Sequence, residues 1–232
     1  IEQGDICEDA LKTIVREQLQ NTAERVVAKK AWSLPSVNVI LRGEATQNFF
    51  EFYYAQTSSS FVYGGQSSAK MGEAFQKEIK GDAVSITLDP AMKGSAYSSE
   101  YDREGFKLEK TVIFDKGVVK AFHGNTRFAH YLDLKPTGNI RNMDVALGSK
   151  SYESEMREKP YVEILMFSDF IMDPVMGNFG GEFRLARYFD GKEMHIITSG
   201  SISGNMFKAQ SEMYFSKEAM QRAGYNGPKA VL

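Results

Sequence analysis

The start of the chain has the hydrophobic spacing of an amphipathic helix. Its apolar positions fall on one stripe at three- and four-residue intervals, and they are Ile6, Ala10, Leu11, Ile14 and Val15. Asp5 followed three residues later by Glu8 is typical of a capping box at a helix start. Lysines at positions 29 and 30 suit the other end, where cations meet the negative pole of the helix dipole. The pattern therefore predicts a helix from Asp5 to about Lys30.

Residues 32–36 predict a linker after this helix. Pro35 pushes the residue before it out of the helical region, so the chain is expected to leave the helix near Trp32. The pattern also changes beyond this point, from helical spacing to short apolar runs that are separated by turn residues. We therefore place a domain boundary in this segment.

Beyond the linker the pattern predicts mostly strands. The predicted strands cover residues 37–41, 84–88, 111–114, 118–122, 161–167, 182–189 and 192–198. A helix is predicted from Glu44 to about Ser60, because Ala45, Phe49, Phe52 and Tyr53 share one helical face. A second, short helix is predicted near residues 71–80. Lys116-Gly117 and Asp190-Gly191 predict hairpin turns, the latter of type I′. The fold class is therefore α+β, with a largely antiparallel or barrel-like sheet and a few packed helices.

Composition excludes several classes of protein. The 232 residues carry 28 Lys and Arg against 30 Asp and Glu, which removes the electrostatic argument for a nucleic-acid or anionic-membrane partner. No apolar run approaches the roughly 18 residues of a membrane-spanning helix. A single cysteine excludes an intrachain disulfide. We expect a cytoplasmic protein, and the first residue, Ile1, together with the apolar end at residues 228–232 suggests a piece of a longer chain.

Metal hydrolysis is the first chemistry to consider. A catalytic zinc needs three side-chain ligands and an open position for water. The histidines are His123, His130 and His195, and none belongs to a His-Glu-x-x-His pattern. The favoured interpretation is that they are surface or hydrogen-bonded histidines. A metal site built from His123, His130 and an acidic residue stays open as an alternative.

The other catalytic motifs are incomplete. Residues 200–204 have Ile202 where a nucleophile elbow needs serine, so a turn of small residues is favoured. The glycine-rich residues 177–181 lack a phosphate-loop pattern and predict a bend or bulge at a sheet edge. The acidic cluster at residues 102–104 is typical of a solvated turn more often than of a cation site. Cys7 is far in sequence from any histidine that could activate it.

Several short segments nevertheless follow one another in a characteristic order. They are Gly65-Gln66-Ser67, Met71-Gly72-Glu73, Val84 to Pro90, Tyr101 to Gly105, Lys116 to Val119, Pro136 to Asn139 with Arg141, and Thr198 to Asn205. Together they resemble the C-terminal domain of the TldD/PmbA family, peptidase components also called modulators of DNA gyrase. The resemblance covers about Val37 to Leu232. It implies that residues 1–34 are the tail of a mostly absent N-terminal domain and that residues 35–232 are the C-terminal domain.

The resemblance also implies where a metal site would lie. In the catalytic branch of the family, the helix after the first strand carries His-Glu-x-x-x-His, and a late cysteine completes a zinc site. The matching positions here are Glu51, Phe52 and Gln56, and no cysteine follows Cys7. Phenylalanine cannot transfer a proton to an attacking water, and a glutamine amide is a poor zinc ligand. We therefore expect no catalytic residue and no zinc in this chain.

The missing motif places the chain closest to the metal-less PmbA (TldE) branch. The resemblance then implies a non-catalytic subunit for extended or unfolded peptides, with the zinc in a TldD-like partner. An extended peptide can add as a strand to an exposed sheet edge. Candidate groove residues are Thr137, Gly138, Asn139, Ser203, Gly204 and Asn205. Nothing in the charge pattern supports contact with DNA. The alternative function is a homodimeric peptide- or protein-binding module without protease activity.

Overall fold

The computed structural model describes residues 8–34 and 36–232. The predicted capping residue Asp5, as well as Ile6, Cys7 and Pro35, lie outside the described residues. The helices are α1 (Glu8–Val27), α2 (Glu44–Gln56), α3 (Ser59–Tyr63), α4 (Thr126–Tyr131) and α5 (Met206–Ala209). The strands are β1 (Lys29–Lys30), β2 (Asn38–Arg42), β3 (Ile86–Leu88), β4 (Thr111–Asp115), β5 (Val118–Val119), β6 (Met143–Val145), β7 (Tyr161–Met172), β8 (Asn178–Phe189), β9 (Met194–Thr198), β10 (Gly200–Asn205), β11 (Ala219–Arg222), β12 (Tyr225–Pro228) and β13 (Ala230–Val231).

Two separate sheets form within the described residues, so the predicted α+β class is confirmed and the sheet is not a closed barrel. The first sheet has the order β1-β9-β8-β7-β2-β13, and β10 pairs with the outer half of β8. The second has the order β11-β12-β6-β3-β4-β5. Most neighbouring strands are antiparallel, whereas β2 with β7, β1 with β9 and β6 with β12 are parallel pairs.

Helix α2 packs between the two sheets, because aromatic side chains cover several of its faces. Phe49 packs against Phe179 of β8 in the first sheet, with ring centroids 4.9 Å apart. Tyr53 contacts Phe114 of β4 in the second sheet at 5.3 Å. Phe50 stacks on Tyr225 of β12. A helix that is apolar on most of its circumference has to be buried, and α2 thereby joins both sheets into one hydrophobic core.

Three sequence predictions about local structure are wrong. Residues 71–80 form turns and bends rather than a helix, since Gly72 and Glu78 adopt positive φ angles that interrupt helical geometry. The helix predicted from Glu44 to about Ser60 ends at Gln56, and α3 begins as a separate turn at Ser59. The Asp190-Gly191 hairpin is not a type I′ turn, which needs a positive φ at both central residues. Gly191 has φ +103°, but Asp190 has no positive φ, and its carboxylate accepts hydrogen bonds from two backbone amides of the loop.

Helix α1 contacts the first sheet through polar residues. Asn21 is buried, and Glu24 forms a 2.7 Å ion pair with Arg187 of β8. Leu11, 40% exposed, and Val15, 49% exposed, belong to the apolar stripe and are open to solvent. The domain boundary near residue 34 stays a prediction, although β1 adds residues 29–30 to the edge of the first sheet.

Candidate functional site

A groove of about 1720 Å³ runs along the outer face of α2. The aromatic residues of α2 are committed to the core, so its polar residues are left on the side that faces the groove. They include Glu44, Gln47, Asn48 and Glu51. The groove is further bounded by residues 164–172 of β7 and by residues 220–225, where β11 turns into β12.

One wall of the groove is an unpaired strand edge. On one side β7 pairs with β8 as far as Met172. On the other side it pairs with β2, but only over residues 161–164, because the chain then turns at Gly43 and enters α2. Within the described residues no strand covers the β7 edge over residues 165–172, and these residues line the groove. Unpaired backbone groups at such an edge can accept an added strand.

The three positions that match the metal motif have different surroundings. Glu51 is exposed in the groove and accepts a 2.9 Å hydrogen bond from Gln47, one helical turn earlier. Phe52 is 1% exposed, and its ring packs edge-on against Phe207 at 5.4 Å. A carboxylate at position 52 would replace a buried ring in an aromatic cluster. Phe52, which the resemblance matches to the general base, is therefore part of the hydrophobic core.

Gln56 is fully buried, and both ends of its amide are used in hydrogen bonds. Its Nε2 donates to the Pro174 carbonyl at 2.6 Å. Its Oε1 accepts from the Ser68 backbone amide at 2.9 Å and from the Ser67 hydroxyl at 3.2 Å. The side chain thus ties α2 to the loop at residues 67–68 and to the turn between β7 and β8. Its carbonyl oxygen, the amide atom that could bind a metal ion, is therefore already occupied by hydrogen bonds.

A buried ionic cluster lies beside the groove, and Arg42 belongs to both. Glu163 of β7 has a fully buried side chain that accepts hydrogen bonds from the Tyr152 hydroxyl and from Arg42 and Arg157, at 3.3 and 3.0 Å for the two arginines. Burial alone would lower the pKa of the Arg42 guanidinium, but the neighbouring Tyr152 and Glu163 more than offset this effect, and the pKa is raised. Arg42 also reaches Glu17 of α1 at 3.2 Å.

The sequence analysis missed this cluster, although a signal was present. Glu163 interrupts an apolar run from Tyr161 to Phe167 that otherwise predicts a fully buried strand. A charged residue in such a run requires buried partners of opposite charge. Those partners come from separate segments, of which only the one with Arg157 is near in sequence, and Arg42, Arg157 and Arg187 could not be identified by spacing alone.

The three histidines lie apart. His123 is buried between α2 and β5, and its Nε2 lies 2.9 Å from the Tyr54 carbonyl oxygen. Burial lowers the pKa of His123 to about 4, against a hydrogen bond to Tyr54 that raises it. His130 is exposed on α4, and His195 contacts Asp190 at 3.3 Å. Across residues 8–34 and 36–232 no three His, Cys, Asp or Glu side chains cluster so that they could hold a metal ion.

The predicted peptide-groove residues fall into two places. Ser203, Gly204 and Asn205 belong to strand β10, not to a turn, and β10 pairs with β8 on one side. A Cβ at Gly204 would lie 2.4 Å from the Phe179 ring, so glycine is needed to let that ring cover the strand. Thr137, Gly138 and Asn139 lie near Asp102, whose carboxylate accepts a 3.1 Å hydrogen bond from the Asn139 amide. That these residues contact peptide stays a prediction.

The structure also shows the surroundings of two other sequence motifs. The glycine-rich residues 177–181 include the start of β8, which pairs with both β7 and β10. The carboxylates of the acidic turn at residues 102–104 have hydrogen-bond partners in the protein. Asp102 accepts from the Phe106 amide at 3.0 Å, and Glu104 accepts from the Thr126 hydroxyl of α4 at 2.8 Å. Burial raises the pKa of Asp102, but its backbone hydrogen bonds outweigh that effect and the net shift is downward. Among the helices of the described chain, none is long and apolar enough to cross a bilayer.

Comparison with known proteins identifies the fold. A protein described as a candidate modulator of a DNA gyrase from Thermotoga maritima superposes with a TM-score of 0.74 at 22% identity, over 92% of this chain and 52% of that one. TldE from Thermococcus kodakarensis superposes with a TM-score of 0.72 at 18% identity, over 95% of this chain and 53% of that one. At these identities the likeness concerns the fold alone.

Sequence comparison establishes the family. The family model for the PmbA/TldA metallopeptidase C-terminal domain matches residues 35–232, and the chain therefore belongs to the PmbA/TldD family. A relative named metalloprotease, from Methanothermobacter thermautotrophicus, is 28% identical over 156 residues, which is 60% of this chain and 33% of that protein. The chain thus spans about a third of this curated relative and about half of the solved structures.

Proposed function

We propose that this chain is a non-catalytic component of a TldD/PmbA-type metallopeptidase and that it handles extended or unfolded peptides in the cytoplasm. The observation that carries the proposal is the state of the motif positions. Phe52 is buried in an aromatic cluster, and both ends of the buried Gln56 amide hold neighbouring loops through hydrogen bonds. These positions serve the fold, so hydrolysis requires a zinc held by a TldD-like partner. This assignment corresponds to the metal-less PmbA (TldE) branch.

The groove along α2 is the proposed place for the peptide. A peptide lying in it would gain backbone hydrogen bonds from the unpaired β7 edge at residues 165–172, and such bonds need no particular peptide sequence. The predicted residues 203–205 lie on β10, for which no second partner strand exists among the described residues. They provide a second candidate edge.

The test is co-expression with a His-Glu-x-x-x-His relative from the same genome. We expect the purified complex to cleave unfolded peptides faster than the relative alone. Ala55→Trp, which would fill the groove beside α2, should reduce this gain. Ala146→Trp, an exposed position that does not line the groove, is the matched control and should keep it. A complex no faster than the relative alone would refute the proposal.

The alternative, a homodimeric binding module, is favoured by the large apolar side chains that α1 exposes. They include Leu11, Val15, Leu19 and Val26, and Val26 is 82% exposed. The first turn of α1 carries Glu8 and Asp9, and its last turn carries Arg25. Two α1 helices that pair antiparallel would bring opposite charges together at both ends. Light scattering that shows a dimer, lost in Leu19→Lys, would support this alternative, and a monomer would exclude it.

A further inference from the structure

Arg141 occupies an unusual position in the wall of the groove. It follows the Pro136–Asn139 turn and precedes β6, and its side chain is exposed. The guanidinium carbon lies 3.7 Å from the centre of the Tyr97 ring, which also lines the groove. A guanidinium stacked on an aromatic face keeps its hydrogen-bond donors directed outward in the plane of the group. The stack therefore presents the donors of Arg141 in a defined orientation.

Arg141 differs from the other cations that line the groove, because it forms no ion pair with any described residue. Arg42 pairs with Glu17 and Glu163, Arg222 pairs with Glu44 at 2.8 Å, and Lys229 lies 3.9 Å from Glu153. Within residues 8–34 and 36–232, no carboxylate lies within 4.0 Å of the Arg141 guanidinium. A positive charge with oriented donors is thus left available to a molecule in the groove.

Arg141 is also close to the outer face of α2. Burial raises the pKa of the Tyr54 hydroxyl to about 12, the positive charge of Arg141 acts against this rise, and the negative charge of Glu51 adds to it. The hydroxyl itself donates a 2.9 Å hydrogen bond to the Ile140 carbonyl, next to Arg141 in the chain. Arg141 and Glu51 therefore both lie near Tyr54, at the part of the groove that α2 borders.

We propose that Arg141, oriented by the Tyr97 ring, is a carboxylate-binding subsite of the groove. Planar guanidinium groups bind carboxylates through two parallel hydrogen bonds, which gives both charge and shape selectivity. The inference rests on the proposed function, since the carboxylate belongs to an extended peptide. The carboxylate is either the C-terminal group of the peptide or the side chain of an aspartate or glutamate, and both offer the same chemistry.

Four fluorescein-labelled ten-residue peptides of one alanine- and serine-rich sequence distinguish these sources. The first pair compares a free C-terminal acid with its amide, and the second compares an internal glutamate with glutamine, both as amides. Fluorescence polarisation against the whole chain is expected to show about tenfold tighter binding for the charged member of one pair. Arg141→Gln should remove this ratio and leave the Kd of the neutral peptides within about twofold. Arg127→Gln, which removes an exposed guanidinium that lies over the Phe128 ring and does not line the groove, is the matched control and should keep the ratio.

The outcomes separate the subsite from the proposed function. If both pairs bind with equal affinity to the wild type, or if the ratio persists in Arg141→Gln, the subsite is refuted while peptide binding stands. If none of the four peptides binds, peptide handling itself is refuted and the subsite falls with it. Arg141→Lys provides one more comparison, because lysine keeps the charge but cannot form the bidentate contact, and the ratio should shrink without vanishing.

Discussion

Replacing Gln56 by leucine tests whether this position has become structural. Leucine has nearly the same volume, so the change removes hydrogen bonds without opening a large cavity. It leaves two backbone groups without their partners: the Pro174 carbonyl, now 2.6 Å from Nε2, and the Ser68 amide, now 2.9 Å from Oε1. The hydroxyls of Ser67 and Ser68 can rotate to other acceptors. The loss in stability therefore comes mainly from the two backbone groups.

An orphaned buried polar group costs about 1–3 kcal/mol. Pro174 and Ser68 are partly exposed, so the lower end applies to each, and we expect a loss of about 2 kcal/mol in the free energy of unfolding. With a urea m-value of about 2 kcal/mol/M, the midpoint should fall by about 1 M. Circular dichroism measures the transition. Gln47→Leu on the same helix is the control, because it loses only the hydrogen bond to the exposed Glu51 and should change stability by less than about 0.5 kcal/mol.

A midpoint for Gln56→Leu that matches the Gln47→Leu control would refute this reasoning. Gln56→Glu provides a second check, because the stability of this variant should depend on pH. A carboxylate at this position can still accept from Ser68, but it faces the Pro174 carbonyl without a proton to donate. Its penalty should be largest near neutral pH and should shrink as acid protonates the carboxyl group.

Three further predictions concern how individual packed residues contribute to stability. Burial lowers the pKa of His123 to about 4, so the unfolded chain binds its proton first, and stability should fall as the pH drops from about 6.5 towards 4, by about 2 kcal/mol at pH 4.5. Urea midpoints at neutral and acidic pH should show a smaller fall for His123→Gln. Gly204→Ala should cost about 1–3 kcal/mol, because the new Cβ would lie 2.4 Å from the Phe179 ring, and Phe179→Leu should recover part of it in the double variant. Glu163→Gln should cost about 3–5 kcal/mol in thermal unfolding, because a buried charge among three arginines is removed.

Each of these three predictions would be contradicted by one particular outcome. Equal pH slopes for the wild type and His123→Gln would mean that this imidazole does not control acid stability. Additive losses in the double variant of Gly204 and Phe179 would mean that ring and strand do not press on each other. A Glu163→Gln protein as stable as the wild type would mean that the arginines are compensated by other carboxylates, such as Glu17 and Glu24.

The elements predicted best are those whose pattern agrees with local geometry. The hairpin at Lys116-Gly117 forms as predicted, because both residues adopt the positive φ angles that such a turn requires. Helix α2 begins at Glu44, as its apolar spacing indicates. The helix predicted at residues 71–80 does not form, because the positive φ angles of Gly72 and Glu78 interrupt helical geometry. Residues 73 and 75 hydrogen-bond instead with the turn and strand near Val119 and Gly117.

The candidate site was only partly predictable. The replaced motif positions could be read along one helix, since their spacing is local. The roles of Phe52 and Gln56 could not, because the partners of these side chains lie about 11 to 155 residues away, at positions such as Ser67, Pro174 and Phe207. The unpaired β7 edge was also hidden, since it depends on where the neighbouring strand β2 ends.

The sequence by itself determined the family and the α+β class, and it predicts that histidine is replaced at the motif positions, because each of these depends on residue identity and order. Only the tertiary structure decided what the replacements do. Burial and hydrogen-bond saturation are properties of three-dimensional neighbours, and folding brings together segments that no spacing rule connects. The same holds for Arg141: its charge is visible in the chain, but its position over the Tyr97 ring, with no ion pair among the described residues, is a consequence of packing.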